Sequence, residues 1–266
     1  MNFLIQKIKY LKILIHETLL ILSMNFSSLL SLGATPIKKP IIALFGGGGK
    51  TAMLYQLGSE LAQQYSKVLL TSIVKAGPSP VFPIVLSKPE TPIDNLFIDR
   101  HPLYLLKEII RENKYQGFEP NELEPLLSGV DVCVFEADGA RDRPLKAHNE
   151  YDPGVPSFTS HVFILIGADV IDTQLNDGLV HRPDIFKSLW SKNDSSLINV
   201  ELITEVVTSQ KGYLSKIPGS IPKIYFVNKA DAHPEKARLL GESISSSTSS
   251  PVFMGSVKNI WWELIS

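Results

Sequence analysis

The chain has 266 residues, 44% hydrophobic and 20% charged, which is enough to bury one large core or two small ones and excludes disordered and fibrous proteins. Its 26 lysines and arginines and 27 aspartates and glutamates give a formal net charge of −1, so overall charge gives no reason to bind nucleic acid or an anionic membrane. The single cysteine, Cys133, excludes an internal disulfide framework and a zinc site of several thiolates, and is typical of a reducing cytoplasm, where we expect this protein.

The first 23 residues form a segment of their own. Three lysines precede an apolar run, the pattern of a signal peptide or a short membrane anchor, but His16 and Glu17 interrupt that run. Met24 offers a second start for the folded chain. We therefore predict that residues 1–23 are an extension outside the fold and that residues 24–266 form a single domain. An amphipathic helix lying on a membrane surface is the alternative for the extension.

From residue 40 onward, short apolar runs alternate with longer amphipathic stretches, which is typical of an α/β domain with a mostly parallel sheet. The predicted strands are Ile41–Phe45, Val68–Ser72, Val130–Ala137, His161–Gly167, Ile224–Asn228 and Val252–Met254. Apolar residues at helical spacing predict helices at Met53–Tyr65, Leu103–Asn113 and Pro234–Ser247.

A glycine-rich loop follows the first predicted strand, where Gly46, Gly47, Gly48 and Gly49 lead into Lys50 and Thr51. Such a loop turns backbone N–H groups toward phosphates, its lysine reaches the terminal phosphate oxygens, and its threonine hydroxyl ligates Mg²⁺. Leu44 stands where the usual pattern has a further glycine, so the loop matches a shortened form. A plain glycine turn is the alternative. The order of strand, glycines, Lys-Thr and helix predicts a three-layer P-loop NTPase-like domain that binds a nucleoside triphosphate with Mg²⁺.

Two carboxylates, Glu136 and Asp138, stand at the end of the third predicted strand. In P-loop proteins a strand-end aspartate holds the Mg²⁺ coordination shell. We therefore predict Asp138 as the Mg²⁺ ligand beside Thr51, while Glu136 accepts a hydrogen bond from a bound water or supports Lys50. Lys50, Glu136 and Asp138 are the predicted catalytic residues.

The fifth predicted strand runs into Asn228-Lys229-Ala230-Asp231, which has the form of a guanine-reading loop. The Asp231 carboxylate can accept from guanine N1–H and N2–H₂, two donors that adenine does not present together. Asn228 would brace this loop and the stem of Lys229 would lie over the base. A chance surface turn is the alternative, but the place of the motif after an apolar strand favours GTP over ATP.

Basic side chains follow the two carboxylates. They are Arg141, Arg143, Lys146 and, further along, His181 and Arg182. We expect them to contact the phosphates or an anionic second substrate, because the first of them come directly after the predicted Mg²⁺ ligand. A solvated, self-paired loop without a ligand is the alternative. We also predict that His181 and Arg182 begin a helix with Pro183 at an early position.

These motifs together resemble a known family. They are the loop Gly47–Thr51, the strand end Leu69–Thr71 with Lys75, the block Glu136–Ala147, the pair His181-Arg182 and the loop Asn228–Asp231. Over about residues 24–256 the chain resembles the YqeC-type accessory proteins of selenium-dependent molybdenum hydroxylases, also called selenium cofactor biosynthesis proteins. The resemblance implies a nucleotide-binding protein that assists maturation of such a hydroxylase, with the client enzyme or its cofactor as partner.

Two function classes stay open from the sequence. One is a GTPase-like switch of the metallochaperone type, whose nucleotide state controls delivery to a client enzyme. The other is a small-molecule kinase or nucleotidyltransferase that acts on a cofactor precursor held by the basic side chains. The sequence has no clear residue to orient an attacking water, so we expect slow intrinsic hydrolysis in either case.

Overall fold

Nine strands form a mostly parallel sheet at the centre of the fold. The computed structural model describes residues 25–31, 39–88, 92–97, 101–176, 178–190 and 197–265. The predicted extension at residues 1–23 lies outside the described residues.

The strands and helices are numbered separately in chain order. The strands are β1 (Ile41–Gly46), β2 (Val68–Ser72), β3 (Ile84–Leu86), β4 (Leu103–Leu106), β5 (Glu108–Arg111), β6 (Lys114–Gln116), β7 (Val132–Glu136), β8 (Leu145–Lys146), β9 (His161–Gly167), β10 (Thr173–Gln174), β11 (Val180–His181), β12 (Leu197–Ile198), β13 (Lys223–Asn228), β14 (Val252–Ser256) and β15 (Trp261–Ile265). The α-helices are α1 (Lys50–Leu61), α2 (Pro120–Leu126), α3 (Pro183–Trp190), α4 (Val200–Thr208) and α5 (Pro234–Ser247). Short 3₁₀ turns span Phe26–Ser31, Ile93–Leu96, Leu127–Gly129, Ala168–Val170 and Tyr213–Lys216.

The large sheet has the strand order β15-β14-β13-β9-β1-β7-β2-β4-β3. Every neighbouring pair in it is parallel except β14 with β15, which is antiparallel. Strand β1 therefore lies between β7 and β9, both far from it in sequence. The predicted α/β class with a mostly parallel sheet is confirmed.

Helices cover both faces of the sheet and make two apolar layers. Along β1, Leu44 packs into the layer that contains Met53 of α1, while its neighbour Phe45 packs into the layer that contains Leu202 of α4 and Leu240 of α5. Successive side chains of a strand point to opposite faces, so a strand buried on both sides must be apolar throughout. This explains why the central strands are continuous apolar runs in the sequence.

The predicted helix at Leu103–Asn113 is wrong, because this segment forms β4 and β5. Residues 103–106 are all buried, since β4 lies between β2 and β3. A run of four apolar residues fits a buried strand as well as a helix, so its spacing could not distinguish them. Asn113 has a φ of 55° in the turn between β5 and β6, a conformation that asparagine adopts more readily than most residues.

Other predicted boundaries differ by a few residues. The structure confirms the predicted bounds of β2, β9 and α5, whereas α1 begins at Lys50 and ends at Leu61, three and four residues earlier than the predicted helix. Strand β15 had no counterpart in the sequence prediction. The prediction that His181 and Arg182 begin a helix is also wrong: His181 ends β11, Arg182 has a φ of 64°, and α3 begins at Pro183.

The parallel strands end at one edge of the sheet, and this edge gathers the polar motifs. Gly46 ends β1, Glu136 ends β7 and Asn228 ends β13. Ligands of open α/β sheets bind at the carboxyl ends of the strands, so the fold brings the predicted nucleotide-binding residues to the expected edge. No helix of the described residues has the length and apolar character needed to cross a membrane.

Candidate functional site

The glycine loop, residues Gly46–Gly49 between β1 and α1, leaves no space for side chains. Gly46, Gly48 and Gly49 have φ angles of 93°, 77° and 129°, in the region that favours glycine. An added Cβ at Gly47 would lie 2.5 Å from the carbonyl oxygen of Arg143. The four glycines are therefore explained by backbone conformation and by close packing against the segment that follows β7.

Three parts of the chain hold the glycine loop in place. The Gly47 N–H donates to the Leu165 carbonyl at 2.9 Å, and the Gly48 N–H donates to the Arg143 carbonyl at 3.1 Å. The Asn228 side-chain amide donates to the Gly48 carbonyl at 2.7 Å, and its oxygen accepts from the Val257 N–H at 3.0 Å. Asn228 therefore connects the glycine loop directly to the predicted base loop.

Lys50, the first residue of α1, is paired with Asp138 and almost completely buried. Its Nζ lies 3.2 Å from Asp138 Oδ1 and also donates to the Gly46 carbonyl. Asp138 is fully buried, accepts from His148 Nε2 at 3.0 Å and lies 3.4 Å from Lys146 Nζ. Burial alone would raise the pKa of Asp138, but Lys50, Lys146 and His148 outweigh it and hold that pKa well below its usual range.

His148 is a buried member of this site that the sequence prediction missed. Its ring stacks on Phe45 with centroids 4.6 Å apart and meets the edge of Tyr213 at 4.9 Å. Burial lowers its pKa despite the hydrogen bond to Asp138, so the neutral ring donates from Nε2. No motif spacing marks His148, because its partners come from distant strands and loops.

Glu136 lies beside Thr51. The Thr51 hydroxyl donates to Glu136 Oε1 at 2.6 Å. Burial is the main cause that raises the pKa of Glu136, against the opposing effects of Lys50 and Thr51. In the structure Asp138 pairs with Lys50, and the carboxylate beside the Thr51 hydroxyl is that of Glu136. Which of the two carboxylates holds Mg²⁺ stays a prediction.

A cavity of about 430 Å³ opens beside the glycine loop. Residues Gly48–Ala52 and Glu136 line it, and so do Arg141 and Arg143. Three further lining side chains, Lys75, Tyr104 and Lys114, were absent from the predicted site, although Lys75 was part of the family resemblance. Strands β4 and β6 supply Tyr104 and Lys114. Tyr104 lies in the segment predicted as the helix Leu103–Asn113 and Lys114 directly follows it, so the prediction gave no reason to place either near Lys50.

Lys146 and Arg182 belong to a buried ion-pair network rather than to the cavity wall. Lys146 Nζ lies 3.3 Å from Asp152 Oδ1, and both terminal nitrogens of the Arg182 guanidinium donate to the Asp152 carboxylate. Burial would raise the pKa of Asp152, but the hydrogen bond from Arg182 and the proximity of Lys146 contribute to lowering it to about 2. Lys146 thereby links Asp152 to Asp138, with its side chain almost completely buried.

His181 lies beside Lys146, because β11 pairs with β8. Burial lowers its pKa to about 4, and the positive charges of Arg182, Lys146, Arg141 and Arg143 act in the same direction. His181 is therefore neutral at pH 7, and it is absent from the lining of the cavity.

We expect His181 to make the protein less stable in acid. Its pKa of about 4 in the folded state is below its usual 6.5, so the unfolded chain binds the proton first and the free energy of unfolding falls between about pH 6.5 and pH 4. In the His181→Gln variant this fall should be smaller. Urea unfolding of both proteins at pH 7 and pH 5 measures this difference. An equal decrease in the free energy of unfolding in the two proteins would contradict the lowered pKa of His181.

The predicted base loop is ordered against the end of β14. The Ala230 N–H donates to the Gly255 carbonyl at 3.0 Å, and Asp231 accepts from the Asn259 side-chain amide at 3.0 Å. Lys229 has a φ of 67°, and its Nζ lies 2.6 Å from Asp169 Oδ2. The Asp231 carboxylate is thus held at the surface, and of these two side chains only Lys229 lines the cavity.

Comparisons with known proteins match the part of the chain that builds this site. The family model described as YqeC protein matches residues 42–184. A protein of Escherichia coli strain K12, described as uncharacterized protein YqeC, is 26% identical over 198 residues, which cover 72% of this chain and 77% of that relative. Residues 42–184 contain the glycine loop, both carboxylates and the basic segment, whereas the base loop lies beyond them.

Proposed function

Because the chain belongs to the YqeC family, we propose that it is a nucleotide-binding accessory protein for maturation or cofactor insertion of a selenium-dependent molybdenum hydroxylase. Family membership supports the role in hydroxylase maturation. The nucleotide part rests on one observation above all, the Thr51 hydroxyl 2.6 Å from Glu136 at the end of a glycine loop that opens a helix.

The glycine loop and the first turn of α1 are the proposed phosphate site. The first N–H groups of a helix have no acceptor within it, and they carry the positive end of the helix dipole. Lys50 supplies the charge, and to reach a phosphate it exchanges its contacts with Gly46 and Asp138 for phosphate oxygens. Asp138 keeps Lys146 and His148 as partners during that exchange, so its charge stays compensated.

Thr51 and Glu136 are the proposed protein ligands of Mg²⁺. A hydroxyl and a carboxylate fit the preference of Mg²⁺ for oxygen. Among the described residues no group of three or more His, Cys, Asp and Glu side chains could hold a metal ion, so phosphate oxygens and water must complete the coordination. When bound, Mg²⁺ would neutralise charge on the phosphates.

GTP is the proposed nucleotide, with slow hydrolysis. Asn228 supports this choice, since its amide joins the base loop to the glycine loop and would align base and phosphates on one ligand. Asp231 would accept from the two guanine donors and give up its contact with Asn259.

We expect GTP to bind more tightly than ATP, because guanine offers the Asp231 carboxylate two donors that adenine does not present together. In the Asp231→Asn variant GTP should bind more weakly and xanthosine triphosphate more tightly, because xanthine presents a carbonyl where guanine has its amino group. Competition binding with the three nucleotides measures this. A wild type that prefers ATP, or an Asp231→Asn variant with the nucleotide preference of wild type, would contradict the guanine assignment. Neither result would contradict the proposed phosphate site.

A small-molecule kinase or nucleotidyltransferase is the second candidate function, favoured by the basic cavity beside Lys50. In the kinase form an acceptor oxygen attacks the terminal phosphorus, the bond to the leaving diphosphate breaks, and the acceptor proton passes to solvent. GTP turnover assayed with and without a purified molybdenum hydroxylase and its cofactor separates the two candidates. A switch hydrolyses slowly alone and faster with the client, whereas a transferase consumes nucleotide only with its acceptor.

A further inference from the structure

The cavity beside Lys50 extends away from the proposed base site. Lys229 is the one residue of the Asn228–Asp231 loop that lines it, and Asp231 does not. On its other side the cavity is lined by Lys75–Pro78, after β2, and by Lys114 of β6. In the sheet, β13 and β14 lie on one side of β1, and β7, β2 and β4 lie on the other. A nucleotide with its base at Asp231 and its terminal phosphate at Lys50 would therefore leave the far end of the cavity open.

The far end is built by segments that are tied to one another. Ala76 and Tyr115 exchange two backbone hydrogen bonds of 3.0 Å, which fix the segment of Lys75 against that of Lys114. The tight turn Ala140–Arg143 lines the same cavity and is closed by a hydrogen bond of 3.1 Å from the Arg143 N–H to the Ala140 carbonyl.

That turn contains a strained pair of residues at the cavity. Arg141 and Asp142 have φ angles of 50° and 62°, which residues other than glycine rarely adopt in succession. The Arg143 carbonyl accepts from the Gly48 N–H, so the turn is fastened to the glycine loop itself. The basic segment and the phosphate site are therefore one connected unit.

The cations at the far end have no ion-pair partner among the described residues. Lys75, Lys114 and Arg141 form no ion pair with any carboxylate of the described residues. Two carboxylates line the cavity, Glu136, which accepts from Thr51, and Asp142. The cations thus outnumber the acids even when Lys50 is left out.

We propose that the far end of this cavity binds a second ligand, a phosphorylated small molecule, held by Lys75, Lys114 and Arg141, which all line it. A planar carboxylate is satisfied by one guanidinium, whereas a phosphate offers several oxygens in different directions and matches cations that come from three separate segments. The inference rests on the proposed function, since the nucleotide defines which end of the cavity stays free. The ligand would lie next to the terminal phosphate of the nucleotide, where an acceptor has to be.

The test is a calorimetric titration of inorganic phosphate into the full chain saturated with Mg²⁺ and a non-hydrolysable GTP analogue, in a phosphate-free buffer. Wild type should bind phosphate, and the double variant Lys75→Ala, Lys114→Ala should bind it at least tenfold more weakly. The double variant Lys75→Arg, Lys114→Arg should keep binding, because it keeps both charges. Lys211→Ala, an exposed lysine outside the cavity, is the matched control and should leave the phosphate affinity unchanged.

Phosphate binding that is absent from wild type, or equal in the double alanine variant, would overturn the inference. Nucleotide affinity of each variant is measured in parallel. If no nucleotide binds, the proposed function fails by itself, and phosphate binding to the nucleotide-free chain that still requires Lys75 and Lys114 would support the second site independently.

Discussion

Replacing Lys50 with alanine should weaken binding of a Mg²⁺-nucleoside triphosphate by about 1.5–3 kcal/mol, the usual worth of a hydrogen bond to a charged group. That is a loss of roughly ten- to a hundredfold in affinity, measurable by calorimetry. The expected loss of affinity is moderate because Lys50 must give up its ion pair with Asp138 to reach the phosphate. The new contact with phosphate therefore partly replaces an existing one.

Two variants accompany this measurement. Lys211→Ala removes an exposed lysine that does not line the cavity and should bind nucleotide as wild type does. Thr51→Val keeps the shape of the side chain but removes the hydroxyl that contacts Glu136, and should weaken binding only when Mg²⁺ is present. An unchanged affinity in Lys50→Ala would show that the glycine loop does not hold phosphates.

Replacing Asp138 with asparagine should lower the free energy of unfolding by about 3–5 kcal/mol, the usual cost of removing one partner of a buried ion pair. Its carboxylate is the buried partner of Lys50 and Lys146 and also accepts from the Gly46 N–H. Urea unfolding at pH 7 measures the effect.

Glu136→Gln is the comparison variant for Asp138→Asn. It also replaces a carboxylate with the corresponding amide, two residues earlier in the chain. The amide can still accept from Thr51 and Lys50 keeps Asp138 as its partner, so the free energy of unfolding should fall by much less than in Asp138→Asn. Nucleotide binding in the presence of Mg²⁺ should instead be weakened. If Asp138→Asn folds like wild type and loses Mg²⁺-dependent binding, the roles are reversed and Asp138 is the metal ligand that the sequence indicated.

The sequence was most informative where neighbouring residues decide the structure. The junction of β1, the glycine loop and α1 could be predicted because strand, glycines and helix follow one another within a short segment. Central strands such as β9 could be predicted because burial on both faces requires continuous apolar residues.

Contacts between distant segments could not be predicted from spacing. Which of Glu136 and Asp138 faces Thr51 depends on where β7 ends, and the sequence pattern extended that strand past Glu136. Lys146 is a charged residue in a basic segment, and such residues are usually exposed. Only the structure shows that it is buried between Asp138 and Asp152. The position of His148 depends on its ring contacts with Phe45 and Tyr213, and these contacts leave no periodic pattern in the sequence.

The network around Asp138 also explains why the block that follows β7 is so rich in charge. In the interior, Asp138 pairs with Lys146 and His148, and Lys146 also pairs with Asp152. Arg182, the residue before α3, binds the Asp152 carboxylate from the other side of the network. Arg141 and Arg143 remain at the cavity. One segment therefore serves two purposes, since its buried part fixes the partner of Lys50 and its remaining cations line the cavity.

The most direct test of the central claim is a calorimetric titration of the full chain with a non-hydrolysable GTP analogue, once with Mg²⁺ and once with EDTA. The site described here predicts one nucleotide per chain, bound at least tenfold more weakly in EDTA, because Thr51 and Glu136 then lose the ion that joins them to the phosphates. Absence of binding under both conditions, or equal affinity with and without Mg²⁺, would contradict the claim that this edge of the sheet is a magnesium-nucleotide site.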